Sequence, residues 1–258
     1  MFGRQRPSLG RERGREYVPP HQGCSAGAKR GVKARAMRTL YHSSLCPFSR
    51  RVRVALEEKK VEHRLVPENP WERRTEFLAL NPAGEVPVLV ETDGIALSGA
   101  DAICEYLDEM VPDPPLIGAS PLERAETRRL VAWFDRKFHA EATINLVDEK
   151  ILKRFRRLGE PDSAAIRAGH ANLRHHLDYV VYLIERRRWL AGDRLTYADL
   201  AAAAQLSCID YIGDVPWDDY DAARDWYARI KSRPSFRALL ADHLPGAPPP
   251  KHYADLDF

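Results

Sequence analysis

Hydrophobic positions from residue 38 onward follow a strand period and a helix period in turn. The segment 38–42 alternates like a strand, and 47–60 carries apolar residues on one helical face with a proline in its first turn. A second strand pattern follows at 61–66, and 71–80 has the pattern of a short helix that ends at an Asn-Pro pair. These segments predict the element order β-α-β-α.

Two short apolar segments then surround an Asp-Gly pair at 93–94, which is a strong signal for a β-hairpin. They occupy 86–91 and 95–97, and the next periodic segment predicts a helix at 99–110. The first part of the chain is therefore expected to have the order β-α-β-α-β-β-α.

The Val-Pro-Asp-Pro-Pro stretch at 111–115 interrupts the periodic patterns and predicts a linker between two domains. After it the patterns are all helical, including long helices at 163–187 and 195–212. We expect a first domain at 37–111 and an all-helical second domain at 118–240.

The first helix of the second domain and the start of a later one carry the most detailed local signals. Thr196 and Asp199 have the spacing of a capping box, with aspartate in place of glutamate. A buried stripe is predicted along the first helix at Leu130, Phe134, Phe138 and Ile144.

The net charge of +3 conceals an uneven distribution. Residues 1–36 hold nine Lys/Arg and two acids, so residues 37–258 carry a net charge of −4. The segment 1–36 is rich in Gly, Pro and Arg without a hydrophobic period, and this composition predicts disorder. It is compatible with a transit peptide or a basic arm for nucleic acid; the favoured interpretation is that translation begins at Met37.

Cysteine and histidine usage points away from disulfide and metal frameworks. Cys24, Cys46, Cys104 and Cys208 are scattered without the spacing of metal ligands, which suits a reducing cytosol. The pair at 175–176 is histidine, but no second ligand pair accompanies it. The chain has no apolar run of 18 or more residues, so no membrane span is expected.

Four motifs in the correct order resemble those of the glutathione S-transferase superfamily. They are the segments at 43–53, 81–90, 102–107 and 190–204. The resemblance implies an α+β, thioredoxin-like N-terminal domain followed by an all-α C-terminal domain, and a homodimer. It also implies a cis peptide bond before Pro87, with the backbone of Val86 facing the cysteinyl part of glutathione.

The second domain and the terminal HYADLDF motif resemble more narrowly a bacterial branch of this superfamily. It implies a dimeric division factor that binds the division tubulin FtsZ, rather than a detoxifying enzyme. This resemblance implies FtsZ, or another component of the division machinery, as the partner.

Cys46 stands at the entry of the first helix, where the superfamily places the residue that activates its nucleophile. The helix dipole and the free N–H groups at that position favour a thiolate, so we expect a lowered pKa. Cysteine at this place resembles classes that carry out thiol–disulfide exchange. A cysteine kept only for packing is the alternative.

The turn before the third helix departs from the superfamily pattern. An acidic or amide residue and a serine hold the amino-acid head of glutathione there, whereas this chain has Gly99 and Ala100. Ser98 or Asp101 would replace them only if the turn shifted by one residue. Since a hydrogen bond to a charged group contributes about 1.5–3 kcal/mol, weak glutathione binding is expected. Ser98, with Val86 and Pro87, is a candidate contact for it.

The segment 245–258 is rich in proline, which predicts an extended tail. Tyr253, Leu256 and Phe258 lie among acidic residues near its end and are candidate anchors for a protein partner. A tail that folds back over the cleft of the transferase fold is the alternative.

Overall fold

The computed structural model describes residues 37–256. The expectations for residues 1–36 and for Phe258 therefore lie outside the described residues.

The first half contains a four-stranded sheet in the spatial order β2-β1-β3-β4. Its strands are β1 (Arg38–His42), β2 (His63–Pro67), β3 (Val88–Val90) and β4 (Ala96–Ser98). β1 pairs in parallel with β2 and antiparallel with β3, and β4 completes the predicted hairpin. This is the thioredoxin-like arrangement that the sequence predicts.

Three helices belong to the same half: α1 (Pro47–Glu58), α2 (Thr75–Leu80) and α3 (Ala100–Met110). The single helix predicted at 71–80 is wrong in its first turn. Residues Pro70–Glu72 form a separate 3₁₀ turn, because Arg73 has a left-handed backbone with φ of 47° and interrupts the helix.

The second half is helical, and no strand follows residue 120 among the described residues. Its elements are α4 (Pro121–Ala132), a π-helical segment (Trp133–Leu152), α5 (Lys153–Arg156), α6 (Ser163–Ile184), α7 (Tyr197–Asp210), α8 (Asp221–Lys231) and α9 (Pro234–Leu240). The all-helical expectation for this half is confirmed.

The predicted capping box begins α7. The Thr196 hydroxyl accepts from the backbone N–H of Ala198, and the Asp199 carboxylate accepts from the N–H of Thr196 at 3.0 Å. Asp199 is fully buried and also accepts from the Trp226 indole at 3.1 Å. The cap therefore also ties α7 to α8.

The buried stripe of the long helix differs from the prediction at one position. Leu130, Phe134 and Phe138 are fully buried, but Ile144 is 39% exposed. The buried face continues at Leu146 instead, within the π-helical segment. The four-residue steps between buried positions leave Ile144 on the wall of a cleft.

The predicted linker is fixed to the end of α1. The buried ammonium group of Lys59 donates to the carbonyls of Val111 at 2.7 Å and Pro114 at 2.5 Å, and it pairs with Asp108 at 2.7 Å. The Asp113–Pro114 bond is cis. The linker is thus part of the packed structure.

The proline-rich tail differs from the extended segment that the sequence predicts. Residues Lys251–Tyr253 form a 3₁₀ turn, and the Tyr253 side chain is fully buried. Leu256 is half-buried against the core. Tyr253 is therefore corrected from an exposed anchor to a core residue, because its ring fills a space among α1, α7 and α9.

Candidate functional site

A cleft of about 430 Å³ lies between the loop after β1 and the π-helical segment. Its walls include Cys46 and Phe48 from the start of α1, Val86 from the turn before β3, and Trp71 from the 3₁₀ turn. A second cavity of about 500 Å³ shares Phe48 and Val86 with it and extends to the start of α3.

Cys46 is the residue that precedes α1, and its thiol is half-buried. The Sγ atom donates to the carbonyl of Val86 at 3.8 Å. Burial raises the pKa of the Cys46 thiol, and hydrogen bonds from Ser49 and Phe48 oppose this effect without overcoming it. The expected lowering of this pKa is therefore wrong, because desolvation outweighs the helix terminus.

The turn at Val86 and Pro87 has the geometry that the resemblance implies. The Val86–Pro87 peptide bond is cis, and Pro87 is buried beside the second cavity. The carbonyl of Val86 already accepts from Cys46. Cys46 therefore lies beside the Val86–Pro87 turn.

Gly99 and Ala100, the two residues singled out by the resemblance, form the start of α3. Gly99 precedes the helix with φ of +88°, and Ala100 is its first residue and 7% exposed. Ser98 ends β4 and is exposed beside the same cavity. Ser98 and Asp101 therefore flank the two residues at the start of the helix.

The acidic side chains near this turn already have a partner. Arg51 is buried and lies 2.6 Å from a carboxylate oxygen of Asp101 and 2.6 Å from one of Asp135. Burial raises the pKa of Asp135 to about 6 although Arg51 opposes it. The Asp135 carboxylate is thus largely buried against Arg51, whereas the Asp101 side chain pairs with Arg51 and is 71% exposed.

The far wall of the cleft contains polar residues that the sequence analysis did not identify. The Arg156 guanidinium lies 5.4 Å from the centre of the Trp71 ring and 3.0 Å from Asp148. His139 packs edge-on against Phe48 at 4.8 Å, and burial lowers its pKa. No local pattern marks these residues, since their contacts join segments that are distant in the chain.

Within residues 37–256, no group of three or more His, Cys, Asp or Glu side chains is placed to hold a metal ion. Of the histidine pair, His175 is exposed and His176 is buried, where its ring accepts from the Trp133 indole at 3.2 Å. Over the same stretch no helix is long and apolar enough to cross a membrane.

The comparisons with known proteins agree with this fold. Residues 45–110 match the model of the glutathione S-transferase N-terminal domain, and residues 145–234 match that of the C-terminal domain. The chain belongs to the glutathione S-transferase family.

Within the family, the chain is similar to FtsZ-localized protein A of Caulobacter vibrioides. The two are 51% identical over 224 residues, which cover 86% of this chain and 98% of the relative. The solved structure of FzlA from C. crescentus matches with a TM-score of 0.84 over 86% of this chain and all of that one, at 51% identity. A structure described as a glutathione S-transferase from Rhodospirillum rubrum is 59% identical, with a TM-score of 0.85 over the same shares.

Proposed function

We propose that this protein is a cell-division factor that binds FtsZ in the cytoplasm as a homodimer and acts through protein contacts. The observation that carries the proposal is the 51% identity to FtsZ-localized protein A across 98% of that protein's length. An alignment of this extent includes both domains, so surfaces of either domain are available for the same partner.

The geometry of the cleft supports a role without glutathione chemistry. The Cys46 thiol has a raised pKa and is therefore mostly protonated at neutral pH. Ala100 has no hydroxyl for a substrate carboxylate, and Asp101 is paired with Arg51. Catalysis of glutathione transfer requires bound glutathione whose thiol is ionised. This site offers few groups to bind glutathione or to stabilise its thiolate.

Co-sedimentation with FtsZ polymers tests the proposal. The purified full chain is mixed with FtsZ from the same bacterium, with GTP to form polymers and with GDP as the control without polymers. We expect the chain to pellet with the polymers only, and Cys46→Ala to pellet equally. Absence of the chain from the polymer pellet at micromolar concentrations of both proteins would overturn the proposed partner.

The homodimer is tested separately by light scattering at micromolar concentration. We expect twice the mass of one chain. A mass equal to one chain would remove the dimer from the proposal and leave the co-sedimentation result to stand by itself.

A glutathione-dependent transferase or thiol–disulfide oxidoreductase is the second candidate. It is favoured by the position of Cys46 beside Val86 and the cis Pro87 on the wall of an open cleft. Calorimetric titration with glutathione decides between the two. A micromolar dissociation constant that Cys46→Ala abolishes would favour the enzyme; heat within the noise at millimolar glutathione would count against it.

A further inference from the structure

Arg50 in α1 is fully buried, and it forms hydrogen bonds with three separate parts of the structure. Its Nε donates to the carbonyl of Ser44 at 2.6 Å, in the loop that holds Cys46. Its Nη1 donates to the Ser207 hydroxyl in α7 at 2.8 Å and to the Tyr253 hydroxyl in the tail at 3.0 Å. One side chain thus contacts the cleft loop, the helical core and the C-terminal tail.

No carboxylate of residues 37–256 lies within ion-pair distance of this guanidinium. Its charge is stabilised by neutral oxygens, by two aromatic rings, Tyr211 at 5.8 Å and Tyr253 at 5.9 Å, and at longer range by the Asp242 carboxylate. Its Nη2 atom is buried without a hydrogen-bond partner. A buried cation with so few acceptors is sensitive to the loss of any one of them.

Tyr253 is held firmly in its place. Its hydroxyl accepts from Arg50 and donates to the carbonyl of Leu239 at 3.1 Å, and its ring meets Tyr211 edge-on at 5.2 Å. Burial raises the pKa of Tyr253 to about 12, so the hydroxyl keeps its proton at neutral pH. The tail therefore supplies Arg50 with a fixed acceptor.

We infer that Tyr253 is a positioning residue for the cleft, and that the C-terminal tail and the loop bearing Cys46 are coupled through Arg50. With Tyr253 in place, Arg50 is oriented to hold the Ser44 carbonyl and thereby the loop. When the hydroxyl is absent, the guanidinium turns toward water or another acceptor and releases Ser44. The loop keeps a second attachment, from the Cys208 thiol to the Leu45 carbonyl at 3.4 Å, so it loosens without unfolding.

The reactivity of Cys46 reports on this coupling. The measurement is the rate of reaction with the disulfide reagent DTNB in full-length protein carrying Cys24→Ser, since Cys104 and Cys208 are buried. We expect Tyr253→Phe, which keeps the ring, to raise the rate by about threefold to tenfold. This rise in rate does not exceed the factor that corresponds to the free energy of one hydrogen bond to a charged group. The apparent pKa of Cys46 should fall, because the released loop exposes the thiol.

Two matched variants separate coupling from general loosening. Tyr220→Phe removes a tyrosine hydroxyl that donates to the Arg174 carbonyl at 3.3 Å, away from Arg50, and should leave the Cys46 rate unchanged. Leu183→Ala weakens the core in α6 and should also leave it unchanged. A rate for Tyr253→Phe within twofold of the parent, or an equal rise in Leu183→Ala, would overturn the inference.

Ser207→Ala keeps the inference testable if Tyr253→Phe does not fold. It removes the other acceptor of Arg50 Nη1 and leaves the tail untouched. A faster reaction of Cys46 in this variant supports control of the loop by Arg50. An unchanged rate overturns it.

Discussion

Arg53 of α1 and Asp242, which follows α9, form a two-point ion pair between the halves of the protein. The distances are 2.6 Å from Nη1 to Oδ2 and 3.0 Å from Nη2 to Oδ1. Both side chains are largely buried, at 5% and 12% exposure. Removing one partner of such a pair strongly destabilises the fold, because the remaining charge stays buried and uncompensated.

Asp242→Asn is therefore expected to lower the free energy of unfolding by about 3–5 kcal/mol. Urea denaturation followed by circular dichroism measures this change. Asp218→Asn, at an exposed position, is the matched control and should change stability by less than about 0.5 kcal/mol. Equal stabilities of the two variants would contradict the structural role of the pair.

The tail is expected to stabilise the fold. Tyr253→Ala removes a fully buried aromatic ring, for which the usual cost is about 3–5 kcal/mol. A scan of thermal unfolding should show a clear fall in the melting temperature. Lys251→Ala, at an exposed position of the same turn, should melt like the parent. An unchanged melting temperature of Tyr253→Ala would support the extended tail that the sequence predicts.

His42 makes stability depend on pH. Burial, aided by the charge of Arg53, lowers the pKa of His42 from 6.5 to about 4. The unfolded chain therefore takes up this proton at a higher pH than the folded protein does. The contribution of neutral His42 to the free energy of unfolding is complete above pH 6.5. It is lost as the pH falls toward 4, and the total loss is about 3 kcal/mol.

Replacing His42 with leucine should remove this part of the pH dependence, so the slope of stability against pH between about 4 and 6.5 becomes smaller. Urea denaturation at several pH values in that interval measures it. His175→Gln, on an exposed face of α6, should keep the slope of the parent. A slope that His42→Leu does not alter would show that His42 is not buried in its neutral form.

Restoring the hydroxyl at the start of α3 should improve glutathione binding. Ala100→Ser places a hydrogen-bond donor where the family holds the substrate carboxylate, which is worth about 1.5–3 kcal/mol or roughly tenfold or more in affinity. Calorimetric titration compares it with Ala125→Ser, which adds the same group at an exposed position of α4. If both variants bind glutathione like the parent, the missing hydroxyl does not limit binding.

Local spacing predicts those parts of the structure that depend on neighbours in the chain. The Thr196–Asp199 cap and the hairpin before Ser98 follow from residues a few positions apart. The contacts of Arg156 with Trp71 and of Arg50 with Tyr253 join distant segments, and no periodic pattern indicates them. The pKa of Cys46 was predicted in the wrong direction for a related reason: the helix terminus is visible in sequence, whereas the degree of burial is set by the packed cleft.

The left-handed backbone at Gly99 limits what substitution at that position can achieve. Apart from its chain neighbours, no atom lies within 4 Å of a Cβ built there, so a side chain would start in open space. Its backbone at φ 88° and ψ 131° would nevertheless cost about 1–3 kcal/mol of folding stability. Because this strain is present with and without a ligand, it lowers the stability of the fold rather than the affinity for glutathione, so a substitution at position 99 exchanges stability for any new ligand contact.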